Sequence, residues 1–482
     1  MSDATALRYG TSEGRWVIVA AVLGSGVVFL DGTVVNVALP AISRDLGASV
    51  RGLQWMLDGY LVTLSSLLLL GGSAGDRYGR RRVFVAGLGG FVAASVLCGL
   101  APGVGFLIAA RALQGVAGAL LVPASLSIIS SGFAPTDRGA AIGAWSGLAA
   151  VAGAVGPLLG GWLVDAGSWR LIFFLNVPLA AAAAAIAVRH VPETRDDDAG
   201  PLDGPGAALV SLGTALVAYA LIEHGQGSGS VVAGLAGVAA LASFVAVERR
   251  SDHPMLPLSL FGSRQFTGAN LTTFAVYGAM SAAMFIVTLR LQVTLGYSAL
   301  EAGASFLPFT GLMLTLSARF GALAQRIGPR IPMTVGPLTS AGGLLLFSRI
   351  GPGDHFATVV FPAVVLFGLG MTLTVAPLTS AVLAAVDSRR AGVASGVNNA
   401  AARLAGLLGI AVIPAVSGVG SGAGVAGSLD HGYAAALRIS AAVCATGGAI
   451  AWLFVRTAAP VRPITHPSPV HACHDSSVAS GR

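Results

Sequence analysis

The chain has 482 residues, of which 55% are hydrophobic and only 10% are charged, and its mean hydropathy is +0.80. These values lie outside the usual range for a soluble globular protein and indicate a polytopic membrane protein. The formal net charge of +7 needs no nucleic-acid partner, because an excess of arginine in the loops on one membrane face explains it.

Apolar runs of about 20 residues recur along the chain, and each is long enough to cross a hydrocarbon core roughly 30 Å thick. The alternating strands of a membrane barrel are absent from the pattern. The runs predict fourteen transmembrane helices, of which the two between 205 and 247 are the shortest. They lie near residues 16–39, 52–71, 83–101, 104–130, 139–163, 170–189, 205–223, 230–247, 266–291, 300–324, 331–350, 356–382, 391–416 and 432–456.

The basic residues predict the orientation. The chain contains no lysine, so all 28 of its basic residues are arginine. If the N-terminus is cytoplasmic, only Arg44, Arg51, Arg170 and Arg349 fall in outside connections, and most of the others lie in inside loops and tails. This bias predicts both termini inside the cell and a location in the inner (cytoplasmic) membrane. The run that begins at Trp16 is interpreted as a retained helix, because no signal-peptide pattern precedes it.

The two ends of the chain repeat each other. GSAGDRYGRR at 72–81 is similar to GALAQRIGPR at 321–330, and Pro123 and Pro377 occupy matching positions. Two six-helix halves around a central site are a common transporter design. The predicted domains are a cytoplasmic tail (1–15), a six-helix bundle (16–189), a linker with two inserted helices (190–265), a second six-helix bundle (266–456) and a disordered cytoplasmic tail (457–482).

Several kinds of chemistry are excluded. A nucleotide-binding P-loop needs a lysine, which this chain lacks, and the spans contain no Ser/His pair, HExxH helix or Cys/His cluster. We therefore expect no enzyme activity, no ATP site, no cofactor and no metal. His471, Cys473 and His474 could suggest a metal site, but the composition of the tail around them favours a disordered, solvated segment. The glycine-rich segment 418–427 is interpreted as a loop and not as a dinucleotide-binding motif, since no strand precedes it.

Three ionisable residues lie within the predicted spans at similar depth. Asp31 is roughly 24 Å along a helix that rises from Arg15, and Asp58 and Arg111 are each roughly 10 Å below the outer surface. Charges at such depth normally face a cavity or one another, so we expect a cluster of these three. A carboxylate beside a fixed arginine and a cavity is suited to load and release protons. The alternative is a structural salt bridge that holds three helices together.

Four segments resemble the motifs of one family. They are LDGTVVNVALP (30–40), GSAGDRYGRRR (72–82), LIAARALQGVAGA (107–119) and GPLLGG (156–161). With these segments the chain resembles the major facilitator superfamily, and specifically its fourteen-span drug:proton antiporter family, over essentially residues 14 to 456. The resemblance implies an all-α integral membrane fold, in which two six-helix bundles are joined by an inserted helix pair, and it supports proton coupling through Asp31, Asp58 and Arg111.

The resemblance also implies a gating loop and an antiporter motif. The gating loop is Gly72, Asp76, Arg77, Gly79, Arg80 and Arg81, with Ala74 in place of the usual leucine. In the second copy Gln325 stands where Asp76 does, so we expect that loop to keep its turn but lose its charge pairs. The antiporter motif is Gly156, Pro157, Gly160 and Gly161. The arginines equally fit the positive-inside rule, and the glycines equally fit close helix packing.

A further set of polar and aromatic residues is predicted to line a substrate cavity. The set is Asn36, Trp55, Tyr60, Gln114, Trp145, Asn398, Asn399 and Arg403. Trp55 equally suits the outer aromatic belt. Asn398, Asn399 and Arg403 equally suit hydrogen bonds between helices. Arg403 has no obvious acidic partner, so it either faces the cavity or reaches an acid of the first half.

The sequence therefore predicts a monomeric, proton-coupled antiporter that exports an amphiphilic small molecule, such as a drug or antibiotic, across the bilayer. The scarcity of acids in the spans favours neutral, monocationic or zwitterionic compounds over multivalent cations. One alternative is a proton-coupled symporter, or an exporter of an endogenous metabolite, with the same fold. The other is a membrane sensor that does not transport.

Overall fold

A computed structural model of the protein describes residues 7–134, 136–196, 200–224, 227–251, 254–386, 391–419 and 424–456. Helices make up almost all of this part of the chain, and an isolated bridge pairs Leu7 with Phe133. The helices of the first bundle are α1 (Ser12–Leu46), α2 (Val50–Tyr78), α3 (Arg80–Gly99), α4 (Val104–Gly132), α5 (Arg138–Ala166), α6 (Leu171–Phe174) and α7 (Asn176–His190). The inserted pair is α8 (Gly204–Ile222) and α9 (Ser228–Glu248).

The second bundle follows a short 3₁₀ helix at Leu258–Gly262. Its helices are α10 (Arg264–Val293), α11 (Ala299–Ala304), α12 (Leu307–Ile327), α13 (Arg330–Phe347), α14 (Phe361–Ala384), α15 (Ala391–Ser417) and α16 (Gly424–Phe454). One π-helical turn, Phe356–Val360, precedes α14. The predicted disordered tail, 457–482, lies outside the described residues.

Among the described residues, twelve helical segments are long and apolar enough to cross a membrane. The protein is therefore a multi-pass membrane protein built from helices. Each of the fourteen predicted spans overlaps a helix, but α5 and α13 are not among the twelve. The count of fourteen spans and the cytoplasmic position of both termini stay predictions.

Some predicted boundaries were wrong. The span predicted at 432–456 begins at Gly424, because the helix continues through Asp430 and His431, which the polarity of the sequence placed in a loop. The span predicted at 170–189 is divided at Leu175 into α6 and α7, and the span at 300–324 is divided at Ser305 and Phe306 into α11 and α12. Apolar patterns locate a membrane helix but do not show such breaks.

The two bundles pack in the same pattern. In the first, α4 packs against α2 and α3, α1 packs against α5 and α7, and α3 packs against α7. In the second, α14 packs against α12 and α13, α10 packs against α15 and α16, and α13 packs against α16. Each contact in one bundle has a counterpart between the corresponding helices of the other, as expected for a duplicated unit.

The two bundles meet closely at one end, here called the Asp165 end, where α5 finishes and α11 begins. The Asp165 carboxylate accepts hydrogen bonds from the backbone N–H of Ala299 (3.2 Å) and of Leu300 (2.8 Å). A β-carbon on Gly303 would lie 2.2 Å from the carbonyl oxygen of Pro157. Only a glycine fits at that separation, so the backbones of α5 and α11 touch directly.

Two further hydrogen bonds join the bundles between the middle of the molecule and the Asp165 end. The Gln54 amide on α2 donates to the Ile410 carbonyl on α15 (2.7 Å). The Gln292 amide on α10 donates to the Val37 carbonyl on α1 (3.0 Å). The opposite end, which holds Asp76 and is here called the Asp76 end, is the predicted cytoplasmic one. The inserted helix α8 packs on α9 and also on α2 and α15, where the two bundles meet.

Candidate functional site

The first bundle contains a buried ion pair at its centre. Asp31 on α1 and Arg111 on α4 form a salt bridge, and their side chains are 0% and 1% exposed. Their helices bring them together because the two residues lie at the same depth, as the sequence predicted. A buried ion pair is tolerated only when its remaining hydrogen-bonding groups are satisfied, so the neighbours of the pair decide what it can do.

Polar neighbours from three helices surround the Asp31 carboxylate. The Gln114 amide donates to it at 3.0 Å and the Asn176 amide at 2.9 Å. Both amides also donate to the Ser95 hydroxyl, at 2.8 and 3.3 Å. The Gln114 carbonyl oxygen accepts a hydrogen bond from Arg111 (2.6 Å). Three donor side chains, those of Arg111, Gln114 and Asn176, therefore satisfy the Asp31 carboxylate in a site from which bulk water is excluded.

Arg111 connects this cluster to a central cavity. Its guanidinium lies 4.1 Å from the centre of the Tyr60 ring, a cation–π distance. Arg111 and Tyr60 both line the cavity, whereas Asp31 lies behind them. Arg111 is therefore the member of the ion pair that faces the cavity.

The central cavity has a volume of about 370 Å³ and is lined by both bundles. Its walls come from α1, α2, α4 and α5 on one side and from α10, α14 and α15 on the other. The lining extends to Thr379, Leu383 and Ser395, near the Asp76 ends of α14 and α15. The cavity is thus directed towards the Asp76 end, while the contacts described above close the Asp165 end. Its walls combine apolar side chains with polar and charged groups, as is typical of a small-molecule site.

Five residues of the predicted substrate set line this cavity: Asn36, Tyr60, Asn398, Asn399 and Arg403. Asn398 also donates hydrogen bonds to Asn270 (3.2 Å) and Thr273 (2.7 Å) on α10, so it joins helices as well as facing the cavity. Asn399 donates to a carbonyl of its own helix. The two roles considered from the sequence are therefore combined in Asn398.

The other three residues of that set do not line the cavity. Trp55 donates a hydrogen bond to Glu223 (2.9 Å) and packs on Tyr219 of α8, and Trp145 donates to Ser25 (2.8 Å) within the first bundle. Gln114 belongs to the Asp31 cluster. The placement predicted for these residues was wrong, because the sequence does not show which side of a helix faces the cavity between the two bundles.

Asp58 does not join Asp31 and Arg111, although its predicted depth was similar. Its carboxylate is fully buried, and neither oxygen has a hydrogen-bond partner among the described residues. Gln54 and Val62, one turn to either side, contact Ile410 on α15 and Leu407 and Ala218 on α15 and α8. Asp58 therefore lies on the face of α2 that packs against α15 and α8, and the expected three-membered cluster contains only two of its members.

The predicted gating loop makes its described contacts within the first bundle and the segment after it. Asp76 accepts hydrogen bonds from Arg80 (2.8 Å) and from Ser127 on α4 (3.2 Å). The backbone N–H groups of Arg81 and Arg82 donate to Glu193. Arg77 donates to the carbonyl of Gly200, and Gly72 lies beside Pro123. The loop thus fixes α2 and α3 to α4 and to the segment that follows α7.

Gly79 ends helix α2 within this loop, in a conformation that suits glycine. Its φ angle is +106°, and a β-carbon there would lie 2.6 Å from the Glu193 carboxylate. In the second copy, Gln325 lies exposed on α12, and Gly328 (φ +84°) again ends the helix. The turn is therefore retained in both copies, as predicted.

The antiporter motif brings α5 close to two other helices. A β-carbon on Gly156 would lie 2.1 Å from the Thr33 hydroxyl, and one on Gly160 would lie 2.5 Å from Val34. Gly161 meets the Ala299 carbonyl of the second bundle in the same way, at 2.5 Å. Pro157 lies within α5, and its carbonyl contacts Gly303. The motif joins the wall of the cavity to the closed Asp165 end.

Some residues of the site were not assigned a role from the sequence. Ser95 and Asn176 complete the Asp31 cluster, and Phe29 and Tyr277 line the cavity. Asn176 is a single amide within an apolar span, which is a usable signal for a buried polar site. Ser95, Phe29 and Tyr277 gave no such signal, because serines and aromatic residues are common throughout membrane helices.

Two pseudo-equivalent helical bundles around a shared polar cavity define a membrane transporter of the alternating-access type. Residues 21–410 match the Major Facilitator Superfamily, and the chain belongs to this family. It is a multi-pass membrane transporter and not an enzyme.

Proteins of known role support this assignment. The chain is 36% identical over 469 residues to the puromycin resistance protein of Streptomyces alboniger, with 92% of each chain covered. It is 33% identical over 479 residues to the cephamycin export protein of Amycolatopsis lactamdurans, with 97% of each covered. The crystal structure of a bacterial homologue of the lysosomal transporter Spinster, inward-facing and unoccupied, has the same fold at a TM-score of 0.66, with 17% identity and coverage of 93% and 98%.

Proposed function

We propose that this protein is a proton-coupled antiporter that exports amphiphilic drugs or antibiotics across the cytoplasmic membrane. In this proposal it belongs to the fourteen-span drug:proton antiporter branch of its superfamily, with both termini in the cytoplasm. The roles of the two relatives, puromycin resistance and cephamycin export, support efflux as the direction of transport. The driving force is the proton gradient, with no nucleotide, metal or cofactor.

The observation that carries the proposal is the position of the Asp31–Arg111 pair. The pair is buried in the first bundle, and Arg111 is the member that faces the cavity shared by both bundles. A change in the charge of Asp31 therefore acts on the cavity through the side chain of Arg111. Groups of this kind inside a membrane are costly and mark proton pathways in transporters.

Proton loading follows from the contacts of the pair. A proton on Asp31 removes the ion pair and weakens the hydrogen bonds that Gln114 and Asn176 donate to the carboxylate. Arg111 is then freed from its partner, while its cation–π contact with Tyr60 and its cavity position are retained. A proton on Asp31 therefore changes the net charge beside the cavity, and Arg111 is the side chain through which this change reaches the substrate.

Asp58 is a second candidate for proton binding. It is fully buried with no hydrogen-bond partner among the described residues, and a charge in that position is expensive. Its helix face packs against α15 and α8, where the two bundles meet. A proton at Asp58 would therefore bear on the contact between bundles, whereas a proton at Asp31 bears on the cavity.

The closed Asp165 end and the cavity directed towards the Asp76 end fit the inward-facing stage of the export cycle, given the proposed topology. Substrate then enters from the cytoplasm or the inner leaflet. Each chain contains both bundles and a complete cavity, which supports a functional monomer. The small-molecule substrate, the protons and the bilayer are its partners.

The test is uptake in proteoliposomes under an imposed pH gradient, with wild type compared with Asp31→Asn. We expect the wild type to drive dye or antibiotic movement against its concentration gradient and Asp31→Asn to lose this coupling. Asp45→Asn is the matched control, because Asp45 is on the same helix but its carboxylate is 47% exposed and paired with Arg170 at the Asp165 end. Undiminished proton-driven transport by Asp31→Asn would overturn the role of Asp31.

The same assay separates the alternatives. Import of substrate together with protons would show a symporter. Binding without any flux, unchanged when the gradient is dissipated, would show a sensor. The efflux roles of the relatives favour neither of these two outcomes.

A further inference from the structure

The cavity wall contributed by the second bundle carries a positive charge with no matching acid. Arg403 on α15 lines the cavity and makes no ion pair or hydrogen bond among the described residues. Its guanidinium lies 5.1 Å from the centre of the Phe29 ring on α1, and its Nη1 atom is 3.9 Å from the position of a β-carbon on Gly32. The side chain therefore reaches across the cavity to the first bundle without meeting a carboxylate there.

The acids in the described helices of the second bundle are engaged elsewhere. Its helices contain only two, Glu301 and Asp430, and both lie at the Asp165 end. Glu301 forms a capping box with Ser298, and Asp430 pairs with Arg290 (2.6 Å). Neither residue lines the cavity.

The acids of the first bundle do not neutralise Arg403 either. Asp31 is paired with Arg111, and Asp58 is on the face of α2 that packs against α15 and α8. The described lining of the cavity contains Arg111 and Arg403 but no aspartate or glutamate. With Arg111 compensated by Asp31, the cavity holds about one uncompensated positive charge.

An isolated guanidinium next to apolar walls is expensive, and a bound anion offsets that cost. Arginine presents a planar fork that matches a carboxylate in a bidentate arrangement. Around Arg403 the cavity is lined by Phe29, Tyr60 and Tyr277, which offer ring faces to an aromatic body. Asn36 and Asn399 add neutral hydrogen-bonding groups nearby.

We propose that Arg403 is the anion subsite of the cavity and that the exported substrates are aromatic compounds that carry an acidic group, such as a carboxylate or an ionised phenol. The proposal rests on the efflux function proposed above and names its substrate class. It differs from the sequence-based expectation of neutral, monocationic or zwitterionic substrates, because that expectation counted the acids of the spans but could not place Arg403 in the cavity without a partner.

The charge of the substrate determines how transport responds to voltage. Export of an anion in exchange for an entering proton moves net positive charge inward in both half-reactions, so the inside-negative membrane potential favours it twice. Export of a monocation for one proton moves no net charge. An anion exporter is therefore accelerated by an inside-negative potential even when no pH gradient is present.

The test uses two dyes with the same ring system and opposite charge. Fluorescein is anionic at neutral pH and rhodamine 123 is cationic, and both consist of a xanthene with a phenyl substituent. Binding is measured by fluorescence anisotropy with the purified full-length protein, and transport is measured in proteoliposomes. We expect fluorescein to bind at least about tenfold more tightly than rhodamine 123, as is typical for a charge-assisted contact.

Arg403→Gln should weaken fluorescein binding by about tenfold or more and leave rhodamine 123 unchanged. Arg403→Glu should reverse the preference. Arg438→Gln is the matched control, since Arg438 is exposed on α16 and does not line the cavity. It removes one positive charge from the same bundle and should change neither affinity.

The outcomes separate this inference from the proposed function. Proton-driven transport of rhodamine 123 but not of fluorescein would overturn the anion subsite and leave efflux standing. Equal weakening of both dyes by Arg403→Gln would also overturn it, because Arg403 would then act on the cavity as a whole. No proton-driven movement of either dye would count against the efflux function itself, and the substrate class would fall with it.

Discussion

The two bundles share one packing pattern but differ in what they place at their centres. The first bundle holds a buried acid, an arginine and two amides that are bonded to one another, at Asp31, Arg111, Gln114 and Asn176. The second presents Arg403 to the same cavity, whose described lining contains no acid. The two halves of the duplicated scaffold have therefore kept the same packing but carry different polar groups. The proposed proton site is on one side of the cavity, and the proposed anion site is on the other.

This division gives each bundle a separate electrostatic task. The charge in the first bundle is compensated within the protein and changes when a proton arrives. The charge in the second is left for a ligand to compensate. A proton and an anionic substrate thus bind at different residues of one shared cavity and need not compete for one side chain.

The largest expected effect comes from breaking the first bundle's pair. Arg111→Met leaves Asp31 buried without its counter-ion, which typically costs about 3–5 kcal/mol. We expect this loss in the free energy of unfolding, measured by denaturation of the purified protein in detergent. The double variant Asp31→Asn/Arg111→Met should recover most of it.

The second bundle supplies a matched comparison for that variant. Arg290 also pairs with an acid, but Asp430 is 62% exposed at the Asp165 end. Arg290→Met should cost less than Arg111→Met, because water can solvate the carboxylate that is left behind. Equal losses for the two variants would mean that burial does not distinguish the two pairs.

A larger side chain at the Asp165 end should shift the protein from the state that is closed at this end to the state that is open there. Gly303→Val places methyl groups where the Pro157 carbonyl already lies 2.2 Å from the β-carbon position. Overpacking of this kind typically costs about 1–3 kcal/mol, so the population open at the Asp165 end should rise by roughly tenfold or more.

The readout is the rate at which an impermeant thiol reagent, added from outside cells, modifies Asn36→Cys in the cavity wall. Gly311→Val is the control, because nothing lies within 4 Å of its β-carbon position. A faster rate in Gly311→Val as well would show that added bulk in any membrane helix, and not the contact with Pro157, alters access.

Substitution of Asp58 should affect stability and transport in opposite directions. Asp58→Leu removes a buried carboxylate that has no described partner, so the free energy of unfolding should rise by about 1–3 kcal/mol. Proton-driven uptake should fall in the same variant if Asp58 carries protons. A variant that is more stable and equally active would remove Asp58 from the proposed mechanism.

The smallest effect is expected at the repeated loops. Asp76→Asn removes an ion pair with Arg80 whose side chains are 40% and 15% exposed, and exposed pairs of this kind contribute about 0.2–1 kcal/mol. Gln325→Asn, the corresponding change in the second copy, should leave stability unchanged. Transport rates compared between the two variants would then show whether the charge at Asp76 has a gating role beyond this small term.

The sequence predicted what depends on position along a helix and missed what depends on rotation about it. Each residue adds 1.5 Å of rise, so the common depth of Asp31, Asp58 and Arg111 followed from counting. The direction in which a side chain points depends on how its helix is rotated against the neighbouring helices. A buried membrane helix is apolar on most of its sides, so its sequence does not reveal that rotation. Asp58, Trp55 and Trp145 were misplaced for this reason.

The repeat and the cavity were predictable to different degrees. The duplicated loop and the matching Pro123 and Pro377 were visible as sequence, and α4 and α14 carry these prolines at corresponding places. Arg403 was identified as an arginine without an obvious partner. That it stays unpartnered in the fold depends on the positions of every nearby acid, which only the packed structure supplies.

The contact between Gly303 and the Pro157 carbonyl limits which substitutions the sequence can accept during evolution. A seal made by main-chain atoms is indifferent to the chemistry of the side chains around it, so the residues that shape the cavity can change and alter the substrates accepted without loosening the closed end. The same seal tolerates no added carbon at one position. Selectivity can therefore evolve in this transporter while two glycines, Gly303 and Gly161, keep the geometry of its closed end.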